Sequence, residues 1–533
     1  MDLQAAGRIE EDLDPVALAA GFRERYRDLW LELTREDEVG ADEQWRITQR
    51  MERLNALGFD VEELALVRSA DEDGIHRGLG IEIMREKEEE DERPVRVPAG
   101  LIQMSNGVSA VAHLDIDYLV GPEAAHVNVA GISGLATKTS YVMFLLQSLL
   151  QMLARAAHAQ GAPPDVAVIL VNVKHNDLLQ IHEEASRYPD GDLAMWEAMG
   201  LLAQPFREVQ YLLPAGKATL RSIDTPNSYE PYPPLGAYKI YAYGLRDAYS
   251  RLPNLLADVP DEYGVLDAIM GEIIEGLDRA KRGTGDWKDV HTWNELLWKS
   301  PLRKWIDGDA QAPGALQQRS LLRFVRYLNR LIRDRNSGLL VEKREPRWVT
   351  IEDEMRAIEG GKTYVVDIAR LQDHEQALVF GDIVRTVYDV MAAGSDDFDL
   401  SGLDEAPSEQ APKKVILFVD ELNKFAPTAG RDAPLLLDLV EIAERGRSLG
   451  IILLSAQQFS SAVHSRVIGN SATRVFGRTA PTELAQAAYR DLPEGVRGHL
   501  ARLGKGELIL THPLYRQPVK IRFPRPAYRQ PGV

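Results

Sequence analysis

The residues that can do chemistry cluster first in VNVAGISGLATKTS, residues Val127–Ser140. A strand-like run ends at Ala130, Gly131 and Gly134 follow, and Lys138-Thr139 opens a helical pattern. Phosphate groups are held by exposed backbone N–H groups at a helix N-terminus, a lysine for charge and a hydroxyl for Mg²⁺. The order of parts here matches that requirement, but the spacing does not. Lys138 follows Gly131 by seven positions instead of six, and Thr137 stands where a second glycine precedes the lysine in the standard loop. Taken alone, the segment reads equally as an ordinary glycine-containing strand-to-helix turn.

A second element breaks that tie. VILFVDE (Val415–Glu421) is a buried-strand pattern ending in two carboxylates. Asp420 at such a strand end suits Mg²⁺, and Glu421 suits the orientation or deprotonation of attacking water. The bare alternative is a strand capped by a common Asp-Glu pair. Further along, Arg445 and Arg447 precede the run IILLSAQQ, which ends in Gln457-Gln458. A glutamine at a strand tip can sense a γ-phosphate, and an arginine at a subunit edge can stabilise charge in a neighbour's site. Arg474 and Arg478 form another possible sensor pair. Either arginine pair is equally readable as solvated surface.

These residues need an alternating strand–helix frame. VAVILVNVK (166–174), TYVVDIARL (363–371), VILFVDEL (415–422), IILLSAQQ (451–458) and TRVFGRT (473–479) are apolar strand-like runs separated by helical patterns, as in a parallel α/β sheet. Residues 95–120 alternate apolar and polar positions, broken by Gly100 and Asn106-Gly107, and read as short strands. GELILTHPLYRQPVKIRFPRP reads as a closing β-hairpin. Residues 1–80 read as polar helices, with Phe22, Tyr26, Leu29, Trp30 and Leu33 at helical spacing and a second helix over 43–57. IMREKEEEDERP (83–94) is a charge run, read as an exposed helix end and linker, with an acidic interaction segment as the alternative. Residues 240–345 read as mostly helical; Leu321, Leu322, Val325, Leu328 and Leu331 share a face, with five arginines around the rest. That arginine face is either solvated or a contact for DNA phosphates. Residues 393–413 read as a polar loop.

Composition bounds the rest. The chain has 533 residues, 62 Lys+Arg against 81 Asp+Glu, a formal charge of −19 and no cysteine. Disulfides, thiolate zinc sites and cysteine nucleophiles are excluded. No histidine cluster of the HExxH kind and no GxSxG elbow occurs. No apolar run is long enough for a bilayer, and MDLQAAGRIEEDLDP lacks a signal peptide's apolar stretch, so the expected location is the cytoplasm. The acidic balance argues against a uniformly basic coat for nucleic acid.

Together these motifs resemble the HerA/FtsK superfamily of hexameric DNA-translocating ATPases, and HerA most closely, over about residues 95–525. The phosphate-loop strand runs from His126-Val127 into Gly131, Ser133 and Gly134. VNVKHNDLL resembles the next strand, FVDELNKFAP the acidic motif, AERGRSLG the arginine segment and GELILTHP the closing strand. The resemblance implies an α/β fold: a RecA-like P-loop ATPase core with a small N-terminal β-barrel, a helical insertion and an extra helical N-terminal region. The implied divisions are a helical region and acidic linker (1–94), a barrel (95–125), a first core part (126–240), an insertion (241–350) and a second core part (351–533). It implies ATP held by Gly131, Ser133, Gly134, Thr137, Lys138, Thr139 and Ser140, and Mg²⁺ at Thr139 and Asp420. It also implies Glu421 as base, Gln457 or Gln458 as sensor, and Arg447 as arginine finger ahead of Arg445. The implied assembly is a homo-hexamer around double-stranded DNA, working with a nuclease or other effector in DNA processing or antiphage defence, with no membrane contact. The alternative is a nucleotide-gated scaffold with little turnover that organises an effector enzyme.

Overall fold

The computed structural model describes residues 72–91, 93–103, 108–121, 125–132, 138–161, 164–185, 188, 191–217, 225–261, 263–314, 316–333, 337–394, 411–428 and 433–530. The helices expected over 22–33 and 43–57, the Asn106-Gly107 turn and most of the 393–413 loop lie outside the described residues. The chain divides into two units, residues 1–80 with 103–110, and the remainder. Of the first, the structure describes little beyond the two-turn helix α1 (Glu72–Leu79).

The second unit is built on a twelve-stranded sheet. Its strands are β1 (Arg96–Gln103), β2 (Ser109–Asp115), β3 (Val127–Ala130), β4 (Val166–Asn172), β5 (Val209–Pro214), β6 (Tyr238–Tyr241), β7 (Thr363–Asp367), β8 (Lys414–Asp420), β9 (Ile451–Gln457), β10 (Thr473–Phe476), β11 (Glu507–Thr511) and β12 (Val519–Arg522). The spatial order is β2-β1-β12-β11-β10-β3-β9-β8-β4-β7-β5-β6. From β10 to β6 every neighbouring pair is parallel. Strands β4 and β9 are buried at every position and β8 at all but its first, as continuous Val/Ile/Leu runs covered on both faces must be.

Helix α2 (Glu82–Asp91) carries much of the 83–94 charge run, which is not a loose tether. The Glu88 carboxylate accepts from the Val95 and Arg96 amides at 2.8 Å each, and Lys87 and Arg93 both pair with Asp117 at 2.6 Å. Within 95–125, expected as a small barrel, the described strands pair as follows. β1 joins the main sheet through β12, with Leu101 opposite Arg522, and β2 lies beyond β1 at the sheet's edge. The closing hairpin β11–β12 supplies the edge on which β1 adds.

Helix α3 (Lys138–Gln160) is the next described helix after β3. Tyr141 through Leu146 are buried along it. Its orientation is pinned from three directions: Ser148 Oγ donates to Pro98 O at 2.7 Å, Gln147 Nε2 donates to Gln204 O at 2.7 Å, and the Ala527 amide donates to Gln147 Oε1 at 2.8 Å. Between β6 and β7 the chain runs through helices that include α4 (Val265–Lys281) and α5 (Gln318–Ile332). The buried side of α5 is Leu321, Phe324, Val325 and Leu328. Leu322, expected on that side, is 37% exposed, because it stands about 100° around the helix from Leu321. Helices α6 (Asp373–Ala393) and α7 (Pro434–Arg445) complete the cover near β8 and β9.

The connections place a crevice. The chain leaves β3 and passes over β9 and β8 to reach β4, whereas the chain leaving β9 crosses β3 to form β10. Strand order therefore diverges about β3, and in open α/β sheets ligands settle at the carboxyl ends of strands at such a divergence. Register sets four of those ends level to within a residue: Ala130 lies opposite Gln457 and Phe476, and Ala456 opposite Asp420.

Candidate nucleotide site

Thr139 and Asp420 come from opposite sides of β9 and meet at the carboxyl edge. The Thr139 hydroxyl donates to Asp420 Oδ2 at 2.9 Å. A hydroxyl and a carboxylate in contact after β3 and β8 are the two protein oxygens that a Mg²⁺ shared with phosphate and water needs. Among the described residues no group of three or more His, Asp or Glu can hold a metal alone. A cation here would complete its shell from phosphate and water.

Lys138, one residue earlier, is 6% exposed, and its amine has no hydrogen-bond partner. Its nearest anion is Glu421 Oε1, at 3.7 Å. Burial pulls the Lys138 amine below the usual lysine range, opposed by the charges of Asp420 and Glu421. Its three donors find no acceptor at hydrogen-bond distance, a cost of burial that a phosphate oxygen would relieve, so this group fits the requirement for a phosphate. Gly131, directly after β3, has its backbone pressed on Gly477: a Cβ there would stand 3.0 Å from Gly477 Cα. The Gly131 amide donates to Gln457 O at 3.2 Å and the Ile132 amide to Arg478 O at 2.8 Å, tying these two residues to both neighbouring strands. Ser133, Gly134 and Thr137 lie outside the described residues. Ser140 lies half-buried in the first turn of α3.

Glu421 adopts φ 63°, left-handed backbone that non-glycine residues rarely hold and that recurs at functional sites. Its amide donates to Ala456 O at 2.8 Å and to Asp420 Oδ1 at 3.0 Å. The Glu421 carboxylate accepts from the Lys174 amine and lies 3.5 Å from Gln458 Nε2. Burial pushes the Glu421 carboxyl up, but Lys174, helped by Lys138, outweighs it and holds it below the usual glutamate range. Lys174 follows β4, the strand beside β8, and its amine also lies 3.7 Å from Asp420 Oδ2. Lys174 belongs to this cluster but not to the residues singled out from the sequence; its signal was a lysine directly after the VAVILVNV strand. Burial, then the Asp420 charge, raises Asp177 nearby.

The two glutamines separate. Gln458 faces Glu421. Gln457 is fully buried, and its Nε2 donates to Asn128 Oδ1 at 2.8 Å, while Asn128 Nδ2 donates to Ser455 Oγ at 2.9 Å. Gln457 therefore braces β3 against β9 and makes no contact with the carboxylates. Arg445 and Arg447 lie before the amino end of β9, about 20 Å from its carboxyl tip at strand rise. Arg445 is exposed and 3.7 Å from Glu441; Arg447 lines a cavity of about 530 Å³ with Lys413 and Lys414. Neither arginine reaches the cluster of its own chain. Arg474 is partly buried, donating to Ala488 O at 2.6 Å, whereas Arg478 is exposed beside the Gly131 turn.

Comparison with known proteins adds the following. A family model described as a domain of unknown function, DUF4032, matches residues 28–90. No curated protein matches the sequence. Among solved structures, VirB4 of Thermoanaerobacter pseudethanolicus is similar at a TM-score of 0.45 and 13% identity, over 80% of this chain and 96% of that one. The bacterial conjugative coupling protein TrwB is similar at 0.43 and 12% identity, over 85% and 94%. The genome packaging NTPase B204 of Sulfolobus turreted icosahedral virus 2 is similar at 0.24 and 14% identity, over 33% and 72%. At these TM-scores the likeness carries no argument about this chain, whose site rests on its own geometry.

Proposed function

We propose that the protein is an ATP-hydrolysing, ring-forming DNA translocase of the HerA kind, acting with a nuclease or another effector. The observation that carries the reading is the convergence of the buried Lys138 amine, which makes no hydrogen bond and lies 3.7 Å from Glu421, with the Thr139–Asp420 pair and Glu421 at the carboxyl edge of β3, β9 and β8. In this reading Lys138 and the Gly131 turn bind the phosphates of ATP. Thr139 and Asp420 hold Mg²⁺, which when bound neutralises phosphate charge. Glu421, kept ionised, accepts a proton from water, and Gln458 orients that carboxylate. Arg447 acts on the site of a neighbouring subunit in a homo-hexamer, since its own site is out of reach. Duplex DNA in the ring channel is the polymer moved.

A second reading, a nucleotide-gated scaffold with little turnover, has its own support. Glu421 is already engaged by Lys174, and the loop from Gly131 to Lys138 is one residue long of the standard spacing. ATP hydrolysis measured with and without duplex DNA, alongside Glu421→Gln, separates the two. The motor reading expects hydrolysis that DNA stimulates and that Glu421→Gln abolishes while ATP still binds. ATP binding with negligible turnover under both conditions sinks the motor and leaves the scaffold.

A further inference from the structure

Helix α5 carries a charge pattern that the nucleotide site does not use. Arg319, Arg323, Arg326 and Arg330 lie on it and Arg333 closes it, all five exposed. Their spacings are four, three, four and three residues. At 100° per residue they fall within about 80° of arc, in one stripe about 21 Å long. Leu321, Phe324, Val325 and Leu328 bury the opposite side.

The stripe has no internal counter-charge. Residues 318–332 contain no Asp or Glu, and none of the five arginines forms an ion pair among the described residues. Arg326 Nε donates to the Leu322 carbonyl at 3.3 Å, and Arg323 lies 5.5 Å over the Tyr327 ring. Like charges at three- and four-residue spacing destabilise a helix. In a chain of net charge −19, with carboxylates plentiful elsewhere, five aligned guanidinium groups that form no ion pair among the described residues point to an anionic ligand from outside.

The stripe's shape selects the ligand. It is straight, one side chain wide and cationic at every turn, matching a row of phosphates, and guanidinium groups bind phosphate in bidentate fashion. Protein hot spots set arginine beside aromatic anchors in desolvated pockets, whereas on this face of α5 the described aromatic, Tyr327, is stacked under Arg323 and Leu322 stands at the border. Single strands need open aromatic platforms, and Tyr327 is already covered by Arg323. We propose that the exposed face of α5 is a docking surface for the phosphate backbone of duplex DNA, without sequence preference, separate from the nucleotide site. This rests on the reading of DNA as the polymer handled and adds where it is held outside the β-sheet core.

The test uses the full chain without nucleotide and a labelled 30-base-pair duplex of arbitrary sequence, followed by anisotropy over a salt series. Arg323→Ala/Arg326→Ala/Arg330→Ala should weaken binding at least tenfold near 100 mM salt. The slope of log K against log salt should flatten by about 2.7, at about 0.9 for each phosphate that is no longer neutralised. The triple lysine variant should keep most of the affinity, and the alanine variant should melt no lower than the parent, which excludes misfolding. Unchanged affinity and slope in the alanine variant, or no duplex binding by the parent, overturns the proposal. The motor reading is judged separately by DNA-stimulated hydrolysis. Stripe-dependent binding without stimulation keeps this surface and sinks the motor; stimulation and full binding in the alanine variant keep the motor and sink this surface.

Discussion

Lys174 and Glu421 form an ion pair at the end of β8: the Lys174 amine donates to the Glu421 carboxylate and lies 3.7 Å from Asp420 Oδ2. The pair joins two parallel neighbours, β4 and β8, Glu421 being the first residue beyond the carboxyl end of β8 and Lys174 the second beyond that of β4. It keeps Glu421 ionised against the burial that favours its neutral form. It also lowers that carboxylate's basicity, since a base stabilised by a cation is a poorer proton acceptor. Lys174→Met should therefore raise the Glu421 pKa, and the acid limb of the pH profile of kcat/KM should move to higher pH. A profile with an unmoved acid limb removes Lys174 from control of the base.

Lys138 leads to a prediction about the protein without nucleotide. Its amine is buried and makes no hydrogen bond, with Glu421 no nearer than 3.7 Å, so its donors stay unsatisfied until a phosphate oxygen binds. Lys138→Met keeps the aliphatic stem and removes the charge. The variant should melt at the same or a higher temperature than the parent when no nucleotide is present, yet show no thermal shift with ATP and Mg²⁺. A lower melting temperature together with a preserved shift would show that the amine serves the fold and not a phosphate.

Parts of this site were legible from residue order and parts were not, for a physical reason. Asp420-Glu421 ends an unbroken apolar strand, and Lys138-Thr139 opens a helix after glycines; both are local patterns. That Thr139 touches Asp420 depends on β9 lying between β3 and β8, a long-range parallel pairing that periodicity does not specify. Lys174 enters the cluster for the same reason, through β4 beside β8. Gln457 and Gln458 were equivalent as letters. Side chains alternate along a strand, and the register of Ala130 opposite Gln457 gives the first to Asn128 and leaves the second near Glu421. Strands over 95–115 were readable from their alternation. Their partner was not, because β1 adds to β12 at the far end of the chain.

Arg447 and Lys138 sit at opposite edges of the sheet, separated by the length of β9. If Arg447 serves catalysis, it serves the site of another subunit. Arg447→Ala and Lys138→Met should each lack turnover as pure proteins. A co-assembled equimolar mixture should regain about a quarter of parental turnover, because random assembly pairs an intact Lys138 with an intact Arg447 at about one interface in four. A mixture shown by mass to be co-assembled but still inactive counts against action across the interface.

Asp367 ends β7 fully buried, with Oδ1 accepting from Asn172 Nδ2 at 2.7 Å and from the Ala369 amide at 3.1 Å. Burial, opposed by those hydrogen bonds, pushes its carboxyl up to about 6 from the ordinary 3.8. The folded chain thus binds a proton more tightly here than the unfolded chain. Between those two values the folded state carries more bound protons, so stability falls as pH rises. The favourable contribution is fully present below the unfolded pKa and is lost as pH rises through about 6, with a total on the order of 3 kcal/mol. Asp367→Asn keeps an acceptor for Asn172 and Ala369 and removes the titration. Asp382, also raised to about 6 by burial, and all other groups titrate in both proteins, so they cancel in the difference. The melting temperature of Asp367→Asn relative to the parent should therefore climb steadily from pH 4 to pH 7. Parallel melting curves across that range would mean that Asp367 titrates alike in the folded and unfolded chains, against the burial that isolates it.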